Sequence, residues 1–164
     1  MHSLNVAIDL IQTSNPRNLT EFQTLGIKVR HVADGNFRHV FLLGACGEAV
    51  IKIPKDYHPD SEDPAWKNPL VHARKEIETI ERICSDDRYL HLKRYLPRLL
   101  YRSIDTGVVI MPRYRPMRRV KFNREEKAVA RMFRETLKLF TADYDHKNMM
   151  RDGKGNIVIA DLGY

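Results

Sequence analysis

The sequence predicts an α+β fold with two lobes, in which a five-stranded antiparallel sheet and one helix precede a smaller lobe. Short apolar runs separated by tight turns between residues 26 and 53 are typical of antiparallel strands. Two longer segments carry apolar residues at helical spacing. The chain of 164 residues, 43% of them hydrophobic, is long enough to bury a core for such a fold.

The first three strands are predicted from alternation and turn residues. Their sequences are GIKVRHV, RHVFLLG and EAVIKIP. Turn-forming residues separate them at positions 33–36 and 44–47. Because turns this short join antiparallel neighbours, we expect the three strands to form one sheet.

A proline-containing loop follows, and then the first long helix. Asn68 and Pro69 form a typical helix start, with Asn as the N-cap and Pro at the first helical position. An apolar stripe is predicted along this helix at Ile77, Ile80, Ile83 and Cys84.

Two further strands are predicted at Pro97–Ser103 and Gly107–Pro112, which completes the five-stranded sheet. A basic linker over residues 113–122 comes next. A capping box at Asn123–Glu126 then predicts a second long helix, reaching Phe140. A polar loop and a last strand, IVIA, end the chain, and we expect that strand to pair with one beginning at Met149.

Three segments follow from these elements: a helical extension over residues 1–25, a first lobe over 26–112 and a small second lobe over 113–164. The N-terminus lacks the features of a signal peptide, and no apolar run reaches the length of a membrane span. The two cysteines, Cys46 and Cys84, form no metal-binding pattern. We therefore expect a cytoplasmic protein without a membrane anchor.

Lys52 and Glu76 are the first candidate pair. Lys52 lies in the apolar strand segment Ala49–Lys52, where a buried charge needs a partner. Glu76 shares a helix face with Ile80 and Ile83, so a carboxylate there is expected to face a cation. The alternatives are an edge-strand lysine that faces solvent and a glutamate at the border of the apolar face.

A second set of candidates lies near the C-terminus. Asp143 precedes Asn148 by five positions, and Asp161 follows after a turn and a four-residue apolar strand. Their oxygen atoms suit Mg²⁺, so Asn148 and Asp161 are the predicted metal ligands, and Asp143 is the predicted base. The alternative is an ordinary polar hairpin loop.

In this order the motifs resemble the protein-kinase-like superfamily, which has a glycine-rich turn, a V-A-I-K lysine, a helix glutamate, H-R-D-x-x-x-x-N and D-F-G. Residues 33–40, Ala49–Lys52, Glu76, Asp143–Asn148 and Asp161–Gly163 stand at these places. The chain looks most like the short serine/threonine kinases made early by tailed bacteriophages. The resemblance implies a bilobal kinase-like fold, Mg-ATP as cofactor and protein substrates, from the host if the chain is phage-encoded. The implied ATP-binding residues are Gly35, Val40, Lys52, Glu76, Met111, Asn148 and Asp161.

The chain departs from the family pattern in three places, one of which is Thr141-Ala142 in place of the His-Arg before the catalytic aspartate. Gly35 stands where the family has three glycines, with Ala33 and Arg38 in the other positions. Nothing follows Tyr164, so the resemblance implies a minimal, truncated second lobe. Apolar residues there would then need cover, from a second copy of the chain or from the N-terminal helix folding back. The residues expected to need it are Met149, Met150, Leu162 and Tyr164.

The net charge of +7 favours polyanionic partners but does not choose among them. Three functions are compatible with the sequence. The first is an Mg-ATP-dependent Ser/Thr kinase, and the second is a pseudokinase that binds and inhibits a host protein. The third is a nucleic-acid-binding module, which charge alone supports and which explains none of the motif spacing. A basic run from Arg113 to Arg124 is expected to be a solvated surface.

Overall fold

The computed structural model describes residues 3–35, 37–56, 68–117, 122–137 and 148–162. These divide into two compact units. The first unit comprises Met1–Ile77 and Arg98–Arg113, and the second comprises Glu78–Pro97 and Tyr114–Tyr164. In the described ranges, no helix has both the length and the apolar character that a bilayer crossing requires.

The first unit contains a five-stranded antiparallel sheet in the order β1-β2-β3-β5-β4. The strands are β1 Val29–Asp34, β2 Arg38–Leu43, β3 Ala49–Pro54, β4 Tyr101–Arg102 and β5 Val109–Pro112. The predicted α+β class and five-stranded sheet are therefore confirmed. Two strands differ from expectation: β1 continues through Ala33 and Asp34, which were predicted as turn, and β4 has only two residues.

The register assigns the strand side chains to two faces, because directly opposite residues of an antiparallel ladder point the same way. One face is apolar and packs against the N-terminal segment; we call it the helix-covered face. Its buried strand residues are Phe41, Leu43, Ala49, Ile51, Ile53 and Ile110. The other, which we call the lysine face, carries Arg38, Val40, Leu42, Val50, Lys52, Val109 and Met111.

The helix-covered face packs against two helices. Helix α1 spans Leu4–Ser14, and a shorter helix α2 spans Leu19–Thr24. The Ser3 hydroxyl caps α1 by accepting from the Val6 amide, and Asn15 ends it in the left-handed conformation. Ala7, Ile11 and Phe22 are fully buried against the sheet. The N-terminal helix therefore packs on the sheet of its own unit, through the same apolar residues that were expected to fold back over the C-terminal ones.

Helix α3 spans Pro69–Ser85 and begins where Asn68 and Pro69 predicted. Ile77, Ile80 and Ile83 are buried, as the predicted apolar stripe of this helix indicates. Cys84 is exposed, however, so the stripe is narrower than predicted. Glu76 lies among the buried residues of this helix with 1% of its surface exposed. A carboxylate with so little access to water needs a cation close by.

The second unit combines short helices with a small sheet. A 3₁₀ turn at Asp87–Tyr89 leads into helix α4, Leu90–Lys93, and helix α5 spans Arg124–Leu137. The sheet has the order β6-β7-β8, from Arg115–Pro116, Met149–Arg151 and Ile157–Ile159. The predicted pairing of the last strand with one starting at Met149 is confirmed, with Met149 opposite Ile159. Strand β6, within the predicted basic linker, was missed.

Helix α5 packs through the predicted apolar stripe. Val129, Phe133 and Leu137 are buried, and the Phe133 ring lies edge-on to Tyr95 with centroids 6.3 Å apart. The Ile159 amide of β8 donates a 2.8 Å hydrogen bond to the Tyr95 carbonyl. The stretch predicted to continue α5 to Phe140 lies outside the described residues.

The expectation that apolar residues near the C-terminus lack cover is wrong for two of them. Met149 and Leu162 are each 0% exposed, and Met150 is half-buried. Tyr164 lies outside the described residues. The expectation of a second copy of the chain at this place stays a prediction.

Candidate functional site

A buried ion pair joins the lysine face to helix α3. The Lys52 ammonium lies 3.3 Å from Glu76 Oε1, and the two side chains are 8% and 1% exposed. Lys52 stands in the middle of the sheet, opposite Val40 on β2 and Val109 on β5. The ion pair expected from the sequence is therefore present. Its role in nucleotide binding stays a prediction.

A third charged residue belongs to this cluster. The Arg38 guanidinium pairs with Glu76 Oε2, and the Arg38 side chain is 9% exposed. The two oxygens of one carboxylate thus meet two different cations. We call Arg38, Lys52 and Glu76 the charged triad. Buried charges are tolerated where they are paired in this way, and removal of the shared Glu76 would deprive both cations of this partner.

Sequence reasoning treated Arg38 only as the residue in place of a family glycine. Strand periodicity contains the missing signal. Side chains two residues apart share a face of a strand, so Arg38 and Val40 lie on the same face. Val40 is opposite Lys52, which places Arg38 on the lysine face as well.

Two of the predicted ATP-binding residues are apolar members of the lysine face. Val40 is directly opposite Lys52 and half-buried. Met111, on β5, is opposite Val50 and 2% exposed. Val40, Lys52 and Met111 therefore lie on one face of the sheet, and Glu76 reaches the same face from α3. Apolar side chains around a few polar groups are typical of small-molecule sites.

Gly35 lies in the turn between β1 and β2. Its amide donates a 2.9 Å hydrogen bond to the Arg38 carbonyl. A Cβ added at Gly35 would lie 3.6 Å from that carbonyl oxygen, an ordinary contact distance. The turn as it stands therefore has room for a side chain at this position, and the Gly35 amide is engaged within the hairpin.

The β1–β2 turn is attached to α3 at two points. The Phe37 ring stacks on His72, with centroids 3.7 Å apart and planes 7° apart. One residue later along the strand, Arg38 pairs with Glu76. His72 and Glu76 are four residues apart and so lie on the same face of the helix. These two contacts hold the start of β2 against α3.

The second unit brings two oxygen donors to one end of a hairpin. Asn148 precedes β7, and Asp161 follows β8 after one residue. The Ala160 amide donates a 2.8 Å hydrogen bond to the Asn148 carbonyl, which extends the β7–β8 ladder to this end. An amide oxygen and a carboxylate are a donor set that fits Mg²⁺, which keeps several waters beside one or two carboxylates. Asp143, the predicted base, lies outside the described residues.

Glu126 connects helix α5 to the β7–β8 hairpin. It completes the predicted capping box: the Glu126 amide donates to Asn123 Oδ1 at 2.9 Å, and the Asn123 amide donates to Glu126 Oε2 at 2.8 Å. Its other oxygen, Oε1, accepts from the Arg151 guanidinium of β7 at 2.8 Å. The ion pair with Arg151 was not predicted, because the sequence does not show which strand residue meets the helix start.

A cluster of two histidines and one carboxylate lies at the outer end of the β1–β2 hairpin. His39 Nδ1 is 2.5 Å from Asp34 Oδ1, and His31 Nε2 is 3.2 Å from Asp34 Oδ2. A β-bulge between His31 and Ala33 puts these residues on one face, although positions 31 and 34 of a regular strand face opposite ways. Hydrogen bonds from His39 and His31 lower the pKa of Asp34. This proximity was not expected from the sequence spacing.

The basic run beside the sheet is only partly described. Arg113, Arg115 and Arg124 are exposed, which agrees with the expected solvated surface. Residues 118–121 of the same run lie outside the described residues.

The chain matches no protein-family profile and no curated protein sequence. Among solved structures, it is similar to the Rio2 kinase of Chaetomium thermophilum, determined as an ADP/Mg²⁺-phosphoaspartate complex. The two are 14% identical with a TM-score of 0.44. The similarity covers 87% of this chain and 50% of that chain, so the present chain spans about half the length of the kinase it resembles.

Proposed function

We propose that this protein is an Mg-ATP-dependent, protein-kinase-like phosphotransferase that acts on serine or threonine of protein substrates. The buried Lys52–Glu76 ion pair on the lysine face is the observation that carries the proposal. A lysine held by a carboxylate in the middle of an antiparallel sheet is a cation in fixed position, and phosphoryl transfer depends mainly on positioning and charge stabilisation.

In this proposal each residue of the lysine face has one task. Lys52 contacts the α- and β-phosphates, and Glu76 orients the ammonium group. Val40 and Met111 supply the apolar surface for the adenine ring. The low exposure of Lys52 strengthens the attraction of its ammonium group for a bound anion, because charges act over a lower effective dielectric there than in water.

Asn148 and Asp161 are the proposed magnesium ligands, since their oxygens suit the ion and the hairpin register places them at one end. When bound, Mg²⁺ supplies positive charge that neutralises the phosphate oxygens. Glu126 and Arg151 act at a distance by fixing the hairpin to α5. Asp143 is the proposed group that orients the acceptor hydroxyl, as the resemblance implies. We place the protein in the cytoplasm, with host proteins as substrates if it is phage-encoded.

A second candidate is a catalytically weak pseudokinase that binds and inhibits a host protein. The attachment of the β1–β2 turn to α3 through Phe37–His72 and Arg38–Glu76 favours it. A turn held in this way has less freedom to close over a nucleotide than an unattached glycine-rich turn would have.

Transfer of radiolabelled γ-phosphate from ATP distinguishes the two functions. The purified chain is incubated with Mg-ATP and a mixture of generic protein substrates, and phosphoserine and phosphothreonine are identified by mass spectrometry. We expect transfer by the wild type, none by Lys52→Met, and unchanged transfer by Lys28→Met, which removes an exposed lysine of the same unit. Nucleotide binding without transfer would support the pseudokinase, and equal transfer by Lys52→Met would contradict the proposed site.

A further inference from the structure

We propose that Arg38 is a second phosphate-binding cation, which contacts the polyphosphate of a nucleotide beside Lys52. The inference rests on the proposed function and adds a residue to it. The chemical class of its ligand is a nucleoside di- or triphosphate, and the part recognised is the phosphate chain. The argument depends on where Arg38 lies, on its partner and on the state of the neighbouring turn.

Strand register brings the two cations together. Arg38 is opposite Pro54, and Val40 is opposite Lys52, so Arg38 and Lys52 are diagonal neighbours on one face of the β2–β3 ladder. Side chains in this relation start about 7–8 Å apart, within reach of long residues. Both head groups converge on the Glu76 carboxylate. The oxygens of a nucleoside di- or triphosphate are spread over a distance similar to the separation of Arg38 and Lys52. One polyphosphate chain can therefore contact both cations.

The charge of the triad has the sign that attracts phosphate. Arg38 and Lys52 are each positive, and Glu76 is the one negative member. A guanidinium carries five N–H donors, so Arg38 can pair with Glu76 and donate to an anion at the same time. Arginine also binds phosphate in a bidentate manner, with stronger hydrogen bonds than neutral donors make.

The turn beside Arg38 explains why a side chain, and not only backbone amides, would bind phosphate at this place. Backbone amides of a glycine-rich turn can form a concave site for an anion. In this hairpin the Gly35 amide already donates to the Arg38 carbonyl. That donor is engaged within the hairpin, and the Arg38 guanidinium offers donors at the first position of the next strand. Arg38 would thus supply charge beside a turn in which the Gly35 amide is already engaged.

A purely structural role for Arg38 is the alternative, in which it only anchors the turn to α3. The two roles predict different patterns of binding. Loss of an anchor would change the lysine face as a whole and weaken adenosine and ATP alike. Loss of a phosphate contact would weaken only compounds that carry the phosphate chain.

Isothermal titration of the full chain with four compounds tests the proposal: adenosine, ADP, ATP and inorganic tripolyphosphate, each with Mg²⁺. We expect Arg38→Met to weaken ATP and tripolyphosphate binding by about 10- to 100-fold, the usual size of a hydrogen bond to a charged group. Adenosine affinity should stay within about twofold of the wild type, which is below 0.5 kcal/mol. Arg38→Lys, which keeps the charge, should recover part of the loss.

Arg17→Met is the matched control, because Arg17 is an exposed arginine of the same unit, in the segment between α1 and α2. It should leave all four affinities unchanged. If Arg38→Met does not fold, as judged by circular dichroism, Arg38→Lys and Arg38→Gln provide the comparison, since both keep a long polar side chain.

Two results would overturn the inference while leaving the proposed function in place. One is unchanged ATP affinity in the folded Arg38 variants, and the other is an equal loss for adenosine and ATP. The wild-type titrations test the proposed function separately. Wild-type binding of tripolyphosphate without adenosine or ATP selectivity would retain the anion site and reject the nucleotide function. No binding of any of the four compounds would reject both.

Discussion

Glu76 pairs through one carboxylate oxygen with Lys52, at 3.3 Å, and through the other with Arg38. The three side chains come from β2, β3 and α3, so this carboxylate connects two strands to the helix. Because Glu76 is shared, its loss and the loss of one cation have different consequences. Without Glu76 two buried cations lose their common partner, whereas without Lys52 the carboxylate keeps Arg38.

We therefore expect Glu76→Gln to lower the free energy of unfolding more than Lys52→Met does. Breaking a buried pair so that charge is left uncompensated costs about 3–5 kcal/mol, which applies to Glu76→Gln. Lys52→Met should cost about 1.5–3 kcal/mol, the range for a hydrogen bond to a charged group. Urea denaturation measures both values, with exposed Glu78→Gln as the control. An equal cost for the two variants would contradict a shared carboxylate.

Glu126 should stabilise the second unit through two separable contacts. Glu126→Ala removes the side-chain half of the capping box and the Arg151 ion pair, and we expect a loss of about 2–4 kcal/mol. Glu126→Gln can still cap the helix but carries no charge, so its loss should be about 1–2 kcal/mol. Exposed Glu125→Ala, at the adjacent position, should change stability little. An equal loss for Glu126→Gln and Glu126→Ala would mean that the side-chain hydrogen bond from the Asn123 amide contributes nothing to stability.

Asp34 should titrate below the ordinary aspartate value of 3.8, because hydrogen bonds from His39 and His31 favour its ionised form. A folded-state pKa below the unfolded one adds stability at higher pH, and this is lost as the pH falls through the folded-state pKa. Carbon-detected NMR titration of the side chain measures the shift. His39→Ala should raise the pKa of Asp34 toward 3.8, and His91→Ala should leave it unchanged. A normal pKa in the wild type would exclude the cluster.

The sheet and the Lys52–Glu76 pair were predictable because their signals are local. Alternating residues and short turns define the strands, and a charge in an apolar strand or on an apolar helix face needs a partner. The roles of Arg38 and of the Asp34 cluster were not predictable in this way. Arg38 became significant only when the register placed it beside Lys52, and Asp34 meets His31 only because of the bulge at position 32.

The second unit shows a different limit of sequence reasoning. The capping box at Asn123 and the pairing of Met149 with Ile159 follow from nearby residues and were predicted. Strand β6 has two residues and forms by pairing with β7 more than thirty positions later, so its own sequence carries no strand pattern. Met149 and Leu162 are fully buried, and the burial of a side chain depends on tertiary packing that local sequence does not show, which is why they were wrongly expected to be exposed.

We have proposed that the protein binds ATP through Lys52 and Mg²⁺ through Asp161, and a thermal-shift titration with Mg-ATP tests both proposals most directly. A ligand that binds only the folded state at 100 times its Kd stabilises that state by about 2.7 kcal/mol, which raises the Tm measurably. For the wild type we predict a rise in Tm that grows with ATP concentration and requires Mg²⁺. Lys52→Met should show no rise, and Asp161→Asn should have the same Tm with and without Mg²⁺. An unchanged wild-type Tm at millimolar Mg-ATP, or a rise that persists in Lys52→Met, would contradict the account.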